Sequence, residues 1–326
     1  MDIKEITGRS LSTSNKMLAE EAYHRGITFE ILPKKRFKMI YGKKSYIIRR
    51  GRISAAYNTT LATKLTKYKN ATGNLLCAMG YPAPENAVFS KNQVDRAWKW
   101  AEDILPVVLK PNDGLMGKLV FVEIDTYDEF KACFEKIAES RDEILIEKFV
   151  EGIEYRFTFV KNEIVAVAKR VPANVIGDGL QNIEQLITSK NEQRTQRKNP
   201  LHKKLDTSEE SERVLKKQGF SFKDIPKKGE IVYLRNNSNV STGGDAVDVT
   251  DDISPELKET IRKAILAIPG LRVCGVDVLI NGDDYHILEI NSHAMLTMHH
   301  FPWEGEAREV ISKVIDGMFP ESLKNE

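Results

Sequence analysis

The chain has few cysteines, almost no net charge and no long apolar run. Its three cysteines, Cys77, Cys133 and Cys274, lie far apart without a C-x-x-C pair, which argues against a disulfide framework or a zinc site. The 49 Lys and Arg residues nearly balance 47 Asp and Glu, so no basic excess predicts nucleic-acid binding. No run approaches the roughly 18 apolar residues of a membrane span.

The start of the chain, MDIKEITGRS, also lacks the apolar core of a signal peptide. With 41% hydrophobic and 29% charged residues, the composition is that of an ordinary globular protein. We therefore expect a cytoplasmic protein with neither a nucleic-acid nor a membrane partner. Its 326 residues suffice for two or three subdomains, and association of identical chains stays open.

The first third of the chain has the pattern of a small α/β unit. Apolar residues at helical spacing predict a helix over 14–25, and 27–32 has the pattern of a strand. A basic hairpin is predicted over 37–48. A helix over 69–79 ends before the proline-containing stretch YPAPE, which indicates a domain boundary nearby. We assign residues 1–68 to a short N-terminal α/β segment.

Residues 69–150 are predicted to form a compact α+β lobe, because short apolar strands alternate with amphipathic helices there. The elements expected after the first helix are a helix from Ser90 to Ile104, strands over 105–110 and 119–122, a helix over 126–140 and a strand over 143–147.

Residues 151–326 are predicted to form a second lobe that contains a long polar insertion, 181–228. Only 183–189 of this insertion shows a helical pattern, and structureless stretches of such length are usually functional or mobile. The other elements expected are two strands meeting near 161–162, strands on both sides of the loop NNSNVSTGGD, helices over 255–268 and 304–318, and a hairpin between them.

That hairpin, VDVLINGDDYHILEIN, collects three oxygen donors. A three-residue loop at 282–284 would place Asp277 opposite Glu289, and Asn291 shares the face of Glu289 because strand residues two apart point the same way. Hard cations such as Mg²⁺ prefer carboxylate and amide oxygens. The pattern is compatible with a metal site, and a polar, solvated hairpin face is the alternative.

A possible phosphate site lies in VVLKPNDGLMGKLVFV. Lys110 stands at the end of a buried strand, and Gly114, Gly117 and Lys118 follow in the loop. Glycines let backbone N–H groups approach phosphates closely. A strand rather than a helix follows the loop, so it is neither a Walker A loop nor a Rossmann turn. The alternative is an ordinary hairpin connection.

The stretch IEKFVEGIEYRF has the pattern of a nucleoside contact. Exposed backbone groups around 148–150 could pair with a purine edge, and the Glu154 carboxylate could accept from ribose hydroxyls. An ion-paired strand end is the alternative for this stretch taken by itself.

In order and spacing these stretches resemble the ATP-grasp superfamily, over about 69–319. Within the superfamily, KRVPANVIGDGLQNIEQLI, IVYLRNNSNVSTGGDAVDVTD and MHHFPWEGEAR look most like the ATP-grasp portions of cyanophycin synthetase and bifunctional glutathione synthetases. The resemblance implies a mixed α+β fold in which two lobes hold ATP between them, with Mg²⁺ or Mn²⁺ bridging the phosphates. Residues 69–150 and 151–326 would be those two lobes.

The resemblance also implies roles for the residues quoted above. Asp277, Glu289 and Asn291 would hold the metal, and Arg235, followed by Asn239, would support the transferred phosphate and an acyl phosphate. The other implied contacts are Lys110 and Lys148 with the phosphates and adenine surroundings, Lys69 more loosely with phosphate, Gly114, Gly117 and Lys118 in the loop, Glu147, Phe149 and Val150 around the adenine edge, and Glu154 at the ribose.

The implied activity is ATP-dependent joining of an amino-acid or short-peptide carboxylate to an amine. The loop 113–118 and the insertion 181–228 would exclude water as lids. A tailoring ligase acting on a ribosomal peptide or natural-product precursor is one alternative, and a non-catalytic ATP-binding module is another. Ser292 and His293 stand where many relatives have a proline-containing turn, so the acceptor side departs from the pattern.

For two groups of residues the sequence allows more than one interpretation. His293, His299 and His300 either contact substrate, one of them acting as a base, or are ordinary packing and surface residues. A basic cluster in the insertion either attracts an acidic substrate or forms a solvated charged face. The members of that cluster are Arg194, Arg197, Lys198, Lys203 and Lys204.

Overall fold

A computed structural model describes residues 11–33, 36–49, 54–114 and 118–322. Its strands are β1 Thr28–Leu32, β2 Arg36–Tyr41, β3 Lys44–Ile48, β4 Asn86–Ser90, β5 Val107–Pro111, β6 Phe121–Ile124, β7 Glu143–Lys148, β8 Ile153–Val160, β9 Glu163–Val171, β10 Asn174–Ile176, β11 Ile231–Tyr233, β12 Asp245–Asp248, β13 Val273–Asn281 and β14 Asp284–Asn291. Its helices are α1 Thr13–His24, α2 Ser54–Tyr57, α3 Thr60–Leu65, α4 Lys69–Ala78, α5 Val94–Ala101, α6 Tyr127–Ala138, α7 Ile183–Arg197, α8 Glu209–Lys217, α9 Pro255–Leu266 and α10 Val310–Met318.

An antiparallel five-stranded sheet, in the order β12-β9-β8-β13-β14, carries the predicted metal hairpin. Alternation along β8 gives the sheet two different faces. Phe157 and Phe159 are fully buried in a core shared with Ile261 and Ile265 of α9. The intervening polar residues, Arg156 among them, lie on the opposite face. The polar face of this sheet is therefore the surface on which Asp277 lies.

A second antiparallel sheet, in the order β4-β7-β5-β6, packs against α5 and α6. Phe130 and Phe134 of α6 are fully buried with Leu109 of β5 and Ile146 of β7. Burial of such side chains contributes about 1.5–3 kcal/mol each. This packing holds β5, with Lys110 near its end, directly beside β7 and the start of the predicted adenine segment.

The two ends of the described chain share one core. Strands β1, β2 and β3 form a small antiparallel sheet, and Phe37 and Met39 of β2 are buried with Leu18 of α1. Val314 of α10 and Phe319 belong to the same cluster. The predicted first helix, strand and basic hairpin are confirmed. The division of the chain at residues 68 and 150 stays a proposal.

The insertion 181–228 is more ordered than its sequence predicted. Helix α7 continues to Arg197, well beyond the predicted 183–189, and α8 was missed. The reason is that this part has its own small core, including Ile183, Leu205 and Leu215, inside an otherwise charged sequence. The expectation of a structureless stretch was therefore wrong.

Two smaller predictions also need correction. The last helix begins at Val310 rather than at 304, because Glu304 forms a bridge with Val247 of β12. In the basic cluster, Arg194 is buried and pairs with Asp245 at 2.6 Å, so a solvated face is wrong for this residue. Among the described helices, none is long and apolar enough to cross a membrane.

Candidate active site

The hairpin of β13 and β14 places Asp277 directly opposite Glu289, as predicted. The route to this register differs from the prediction. Asn281 pairs with Asp284, so the turn has two residues rather than three. A bulge then lies opposite Asp277 and Val278: Val278 pairs with Ile287 and Asp277 with Glu289, so Leu288 is an extra residue on β14. This extra residue shifts the pairing by one position. The bulge therefore restores the facing pair that a three-residue turn would have given.

Asn291 completes a compact set of oxygen donors. Its Nδ2 donates to Asp277 Oδ2 at 3.1 Å and to Glu289 Oε1 at 2.5 Å, so the amide lies between the two carboxylates. Turning the amide over would bring its oxygen to the same point. In the described part of the chain no group of three or more His, Cys, Asp or Glu side chains is arranged to hold a metal. The donor chemistry fits Mg²⁺, which takes few protein oxygens and completes its shell with water and phosphate.

Arg156 is the principal partner of Asp277 among the described residues, and the sequence had not pointed to it. Its Nε lies 2.5 Å from Oδ1 and its Nη2 lies 2.9 Å from Oδ2, and both side chains are buried. Such a two-point pair compensates the cost of burying both charges. The signal was present in the alternation of β8, where Glu154, Arg156 and Thr158 share one face.

Arg170 on β9 connects the hairpin of β13 and β14 with the loop that follows β11. Its Nη1 pairs with Glu154 and lies 3.5 Å from Asp277 Oδ1, and its Nη2 donates to Asn239 Oδ1 at 2.5 Å. Glu154 also accepts from Ser238. Burial raises the pKa of Glu154, although Arg170 opposes the shift. Both Glu154 oxygens are thus engaged, and its ribose contact stays a prediction.

Two lysines surround Glu289. Lys69 Nζ lies 2.8 Å from Glu289 Oε2, and Lys110 pairs with the buried Glu147 on the neighbouring strand β7. Burial alone would raise the pKa of Glu289, but Lys69 and Lys110 together hold it at about 2. The carboxylate therefore stays ionised at neutral pH, which is the form that could bind a metal.

The backbone of the predicted adenine segment is only partly available. The N–H groups of Lys148 and Phe149 donate to the carbonyls of Glu85 and Pro106, both at 2.9 Å. The expectation of exposed donors was therefore wrong for these two residues. The contacts of Glu147, Phe149 and Val150 around the adenine edge stay predictions.

The predicted phosphate loop is described at both of its ends. Gly114 donates its N–H to the Pro111 carbonyl at 3.3 Å, and its own carbonyl accepts from Lys69. Lys118 is exposed. Gly117 lies outside the described residues. A phosphate contact by this loop stays a prediction.

Arg235 is held by the insertion. It forms ion pairs with Asp206, at 2.8 Å, and with Glu210, and Ser208 Oγ lies 3.1 Å from its Nη2. Its guanidinium therefore already binds two carboxylates at the start of α8. The phosphate role that the resemblance implied for Arg235 stays a prediction, and that role would require exchange of these partners.

The histidines differ in their surroundings. His299 is buried, with Nε2 2.7 Å from Thr158 Oγ1, and burial lowers its pKa to about 3. The backbone N–H of Ile311 donates to Nε2 of His300 at 3.0 Å, near the start of α10. His293 is exposed. The packing interpretation therefore fits His299 and His300.

The family of this chain follows from comparison of its sequence with profiles of known protein families. A family profile described as an ATP-grasp domain matches residues 66–295. The chain belongs to the ATP-grasp family. The match includes Lys69, Lys110, Glu154, Asp277 and Glu289, so the geometry described above lies inside the ATP-grasp domain.

Nearly the whole chain matches part of two longer relatives. The chain is 33% identical to a glutathione biosynthesis bifunctional protein of Clostridium perfringens, over 95% of this chain and 41% of that protein. It is 32% identical to a cyanophycin synthetase of Trichormus variabilis, over 98% of this chain and 36% of that protein. This ATP-grasp chain thus spans less than half the length of these relatives.

Solved structures show the same mixed α+β fold. The crystal structure of a bifunctional glutathione synthetase from Pasteurella multocida superposes with a TM-score of 0.70 at 28% identity, over 96% of this chain and 44% of that one. A D-alanine–D-alanine ligase from Bacillus anthracis, at 15% identity and a TM-score of 0.50 over 82% of this chain and 70% of that one, shares the fold alone. The chain is thus an ATP-grasp, ATP-binding member of a ligase family.

Proposed function

We propose that this ATP-grasp chain joins a carboxylate to an amine, with ATP as the energy source and Mg²⁺ as the metal. The amide would form through an acyl phosphate, with release of ADP and phosphate. The observation that carries the proposal is the convergence of Asp277, Glu289 and Asn291 within one hydrogen-bonded group beside Lys69. Mn²⁺ fits the same oxygen donors.

Each part of the site has a task in this reaction. Asp277, Glu289 and Asn291 would hold the metal, which neutralises charge on the triphosphate. Lys110, buried beside Glu147, would contact phosphate oxygens once a nucleotide competes for its ammonium. These groups would stabilise the negative charge that spreads over the phosphoryl group during transfer.

The substrates are proposed from the family relationship. Relatives named for glutathione biosynthesis and cyanophycin synthesis support an amino acid or a short peptide as the carboxylate donor, with an amino compound as acceptor. The insertion 181–228 contributes Asp206 and Glu210, and both of these carboxylates pair with Arg235, which follows the insertion in the chain. We propose that this region contributes to selection between acceptors.

The test measures ADP release with mixtures of amino acids and dipeptides, resolved into single pairs once activity is found. Asp277→Asn and Glu289→Gln should each lower amine-dependent ADP release by about 100-fold or more, because a metal ligand is lost. Asp283→Asn is the matched control, since Asp283 lies in the exposed turn of the same hairpin. Unchanged turnover in both site variants would contradict the proposal, as would nucleotide binding without turnover for every pair.

A further inference from the structure

Lys69 joins two parts of the fold at the candidate site. Its Nζ lies 2.8 Å from Oε2 of Glu289 and donates a 2.9 Å hydrogen bond to the Gly114 carbonyl. Glu289 belongs to the five-stranded sheet, whereas Gly114 follows β5 of the four-stranded sheet. The lysine side chain is only 13% exposed. One ammonium therefore links a proposed metal ligand to the proposed phosphate loop.

The backbone at Lys69 and at the next residue is held by hydrogen bonds to Asn112. Its N–H donates to the Asn112 carbonyl, and the N–H of Asn70 donates to Asn112 Oδ1, both at 3.3 Å. Asn112 in turn donates to Glu143 Oε2 at 2.9 Å. Leu76, farther along α4, is buried in the core of the five-stranded sheet. Because the helix start is fixed, the ammonium can leave Glu289 by rotation of the lysine stem alone.

The position of this ammonium puts it in competition with a metal ion. Glu289 Oε1 accepts from Asn291 and Oε2 faces Lys69, so both oxygens are engaged. A divalent cation approaching Oε2 meets a like charge about 3 Å away, and this repulsion opposes joint occupancy. The Lys69 ammonium must therefore move away before Oε2 of Glu289 can bind a metal ion.

We propose that Lys69 is a built-in counter-cation of Glu289, displaced when a divalent cation binds, and that the displaced ammonium then pairs with a nucleotide phosphate. The inference rests on the proposed function, because it takes Glu289 as a metal ligand and the cleft as a nucleotide site. Lys69 is thus a positioning residue that makes metal and nucleotide binding depend on each other.

The coupling follows from the exchange of partners. Without nucleotide, a metal that binds Glu289 breaks the Lys69–Glu289 ion pair, and the Lys69 ammonium gains no new anionic partner. With nucleotide, the ammonium gains a phosphate partner, so each ligand strengthens the binding of the other by the same factor. A lysine that only braced the two sheets would have a different effect, because its loss would leave metal affinity unchanged or would weaken it.

The experiment measures Mn²⁺ binding by electron paramagnetic resonance of the free ion, with and without ADP. Lys69→Met should bind Mn²⁺ about three- to tenfold more tightly without nucleotide, and the enhancement by ADP should shrink by a similar factor. Lys69→Arg keeps the charge and should behave like the unsubstituted chain. Lys67→Met is the matched control, because Lys67 is half exposed and lies 3.6 Å from Asp113.

Unchanged or weaker Mn²⁺ binding by Lys69→Met without nucleotide overturns the inference. Circular dichroism verifies the fold, and Lys69→Gln provides the same comparison if the methionine variant does not fold. Glu289→Gln separates the two proposals. If Mn²⁺ binding depends on Glu289 but not on Lys69, only the inference fails. If the unsubstituted chain shows no Glu289-dependent binding, the proposed metal site fails as well.

Discussion

Arg156 reaches from β8 to Asp277 on β13 and binds both of its carboxylate oxygens, at 2.5 and 2.9 Å. Gly275, two residues before Asp277, makes room for this contact. A Cβ at that position would lie 2.7 Å from Arg156 Cδ. A small residue on one strand thus permits a large cation from the next strand to pass over it and hold the proposed metal ligand.

Removal of this arginine should destabilise the protein strongly. Arg156→Met leaves Asp277 buried without its two-point partner, and we expect a loss of about 3–5 kcal/mol in the free energy of unfolding. Urea denaturation measures the change. Arg262→Met is the control, because Arg262 pairs with the exposed Glu259 along one helix and should cost less than about 1 kcal/mol. A loss no larger than in the control would show that the pair is not important for stability.

Release of Arg235 from the insertion should favour nucleotide binding if this arginine serves the phosphate. Substituting both of its acidic partners, Asp206→Asn with Glu210→Gln, should lower the KM for ATP by about two- to fivefold, because partly exposed ion pairs are weak competitors. Steady-state assays measure this. Glu209→Gln with Glu212→Gln changes the same number of charges in the first turn of α8 and should leave KM unchanged. A higher KM in the Asp206 and Glu210 variant would assign these acids to substrate binding instead.

His299 should make the protein less stable as the pH falls. Its folded pKa of about 3 is far below the value of about 6.5 expected in the unfolded chain. Between these values the unfolded chain binds more protons, so the free energy of unfolding drops by up to about 1.4 kcal/mol per pH unit of acidification. His299→Gln should reduce this slope by up to about 1.4 kcal/mol per pH unit between pH 6 and 4, in denaturation curves at several pH values. Equal slopes in both proteins would contradict the prediction.

The fold was readable from the sequence where apolar periodicity is strong. Helices α1, α6 and α9 and strands β5, β7, β8 and β9 follow the predicted patterns within a few residues. Helix α8 was not readable, because charged residues dominate its sequence and its apolar contacts come from distant partners such as Val232. The local sequence pattern does not predict a helix whose small core is formed by residues from distant parts of the chain.

The sequence predicted that Asp277 faces Glu289, but it did not point to Arg156 and Arg170. Asp277 and Glu289 were recognisable from the hairpin and the family resemblance. Arg156 and Arg170 lie inside strands, where a charged residue in sequence is ambiguous between an exposed and a buried face. The engagement of Arg235 by Asp206 depends on how the insertion folds back, which spacing along the chain does not encode.

The two-residue turn and the bulge at Leu288 act together on the register of the hairpin. A strand that slips by one residue turns every side chain to the opposite face. One residue added to the turn, with the bulge kept, would therefore end the facing of Asp277 and Glu289. A longer turn on an unbulged strand would bring them together again. In the divergence of this hairpin, insertions and deletions should therefore survive only in compensating pairs.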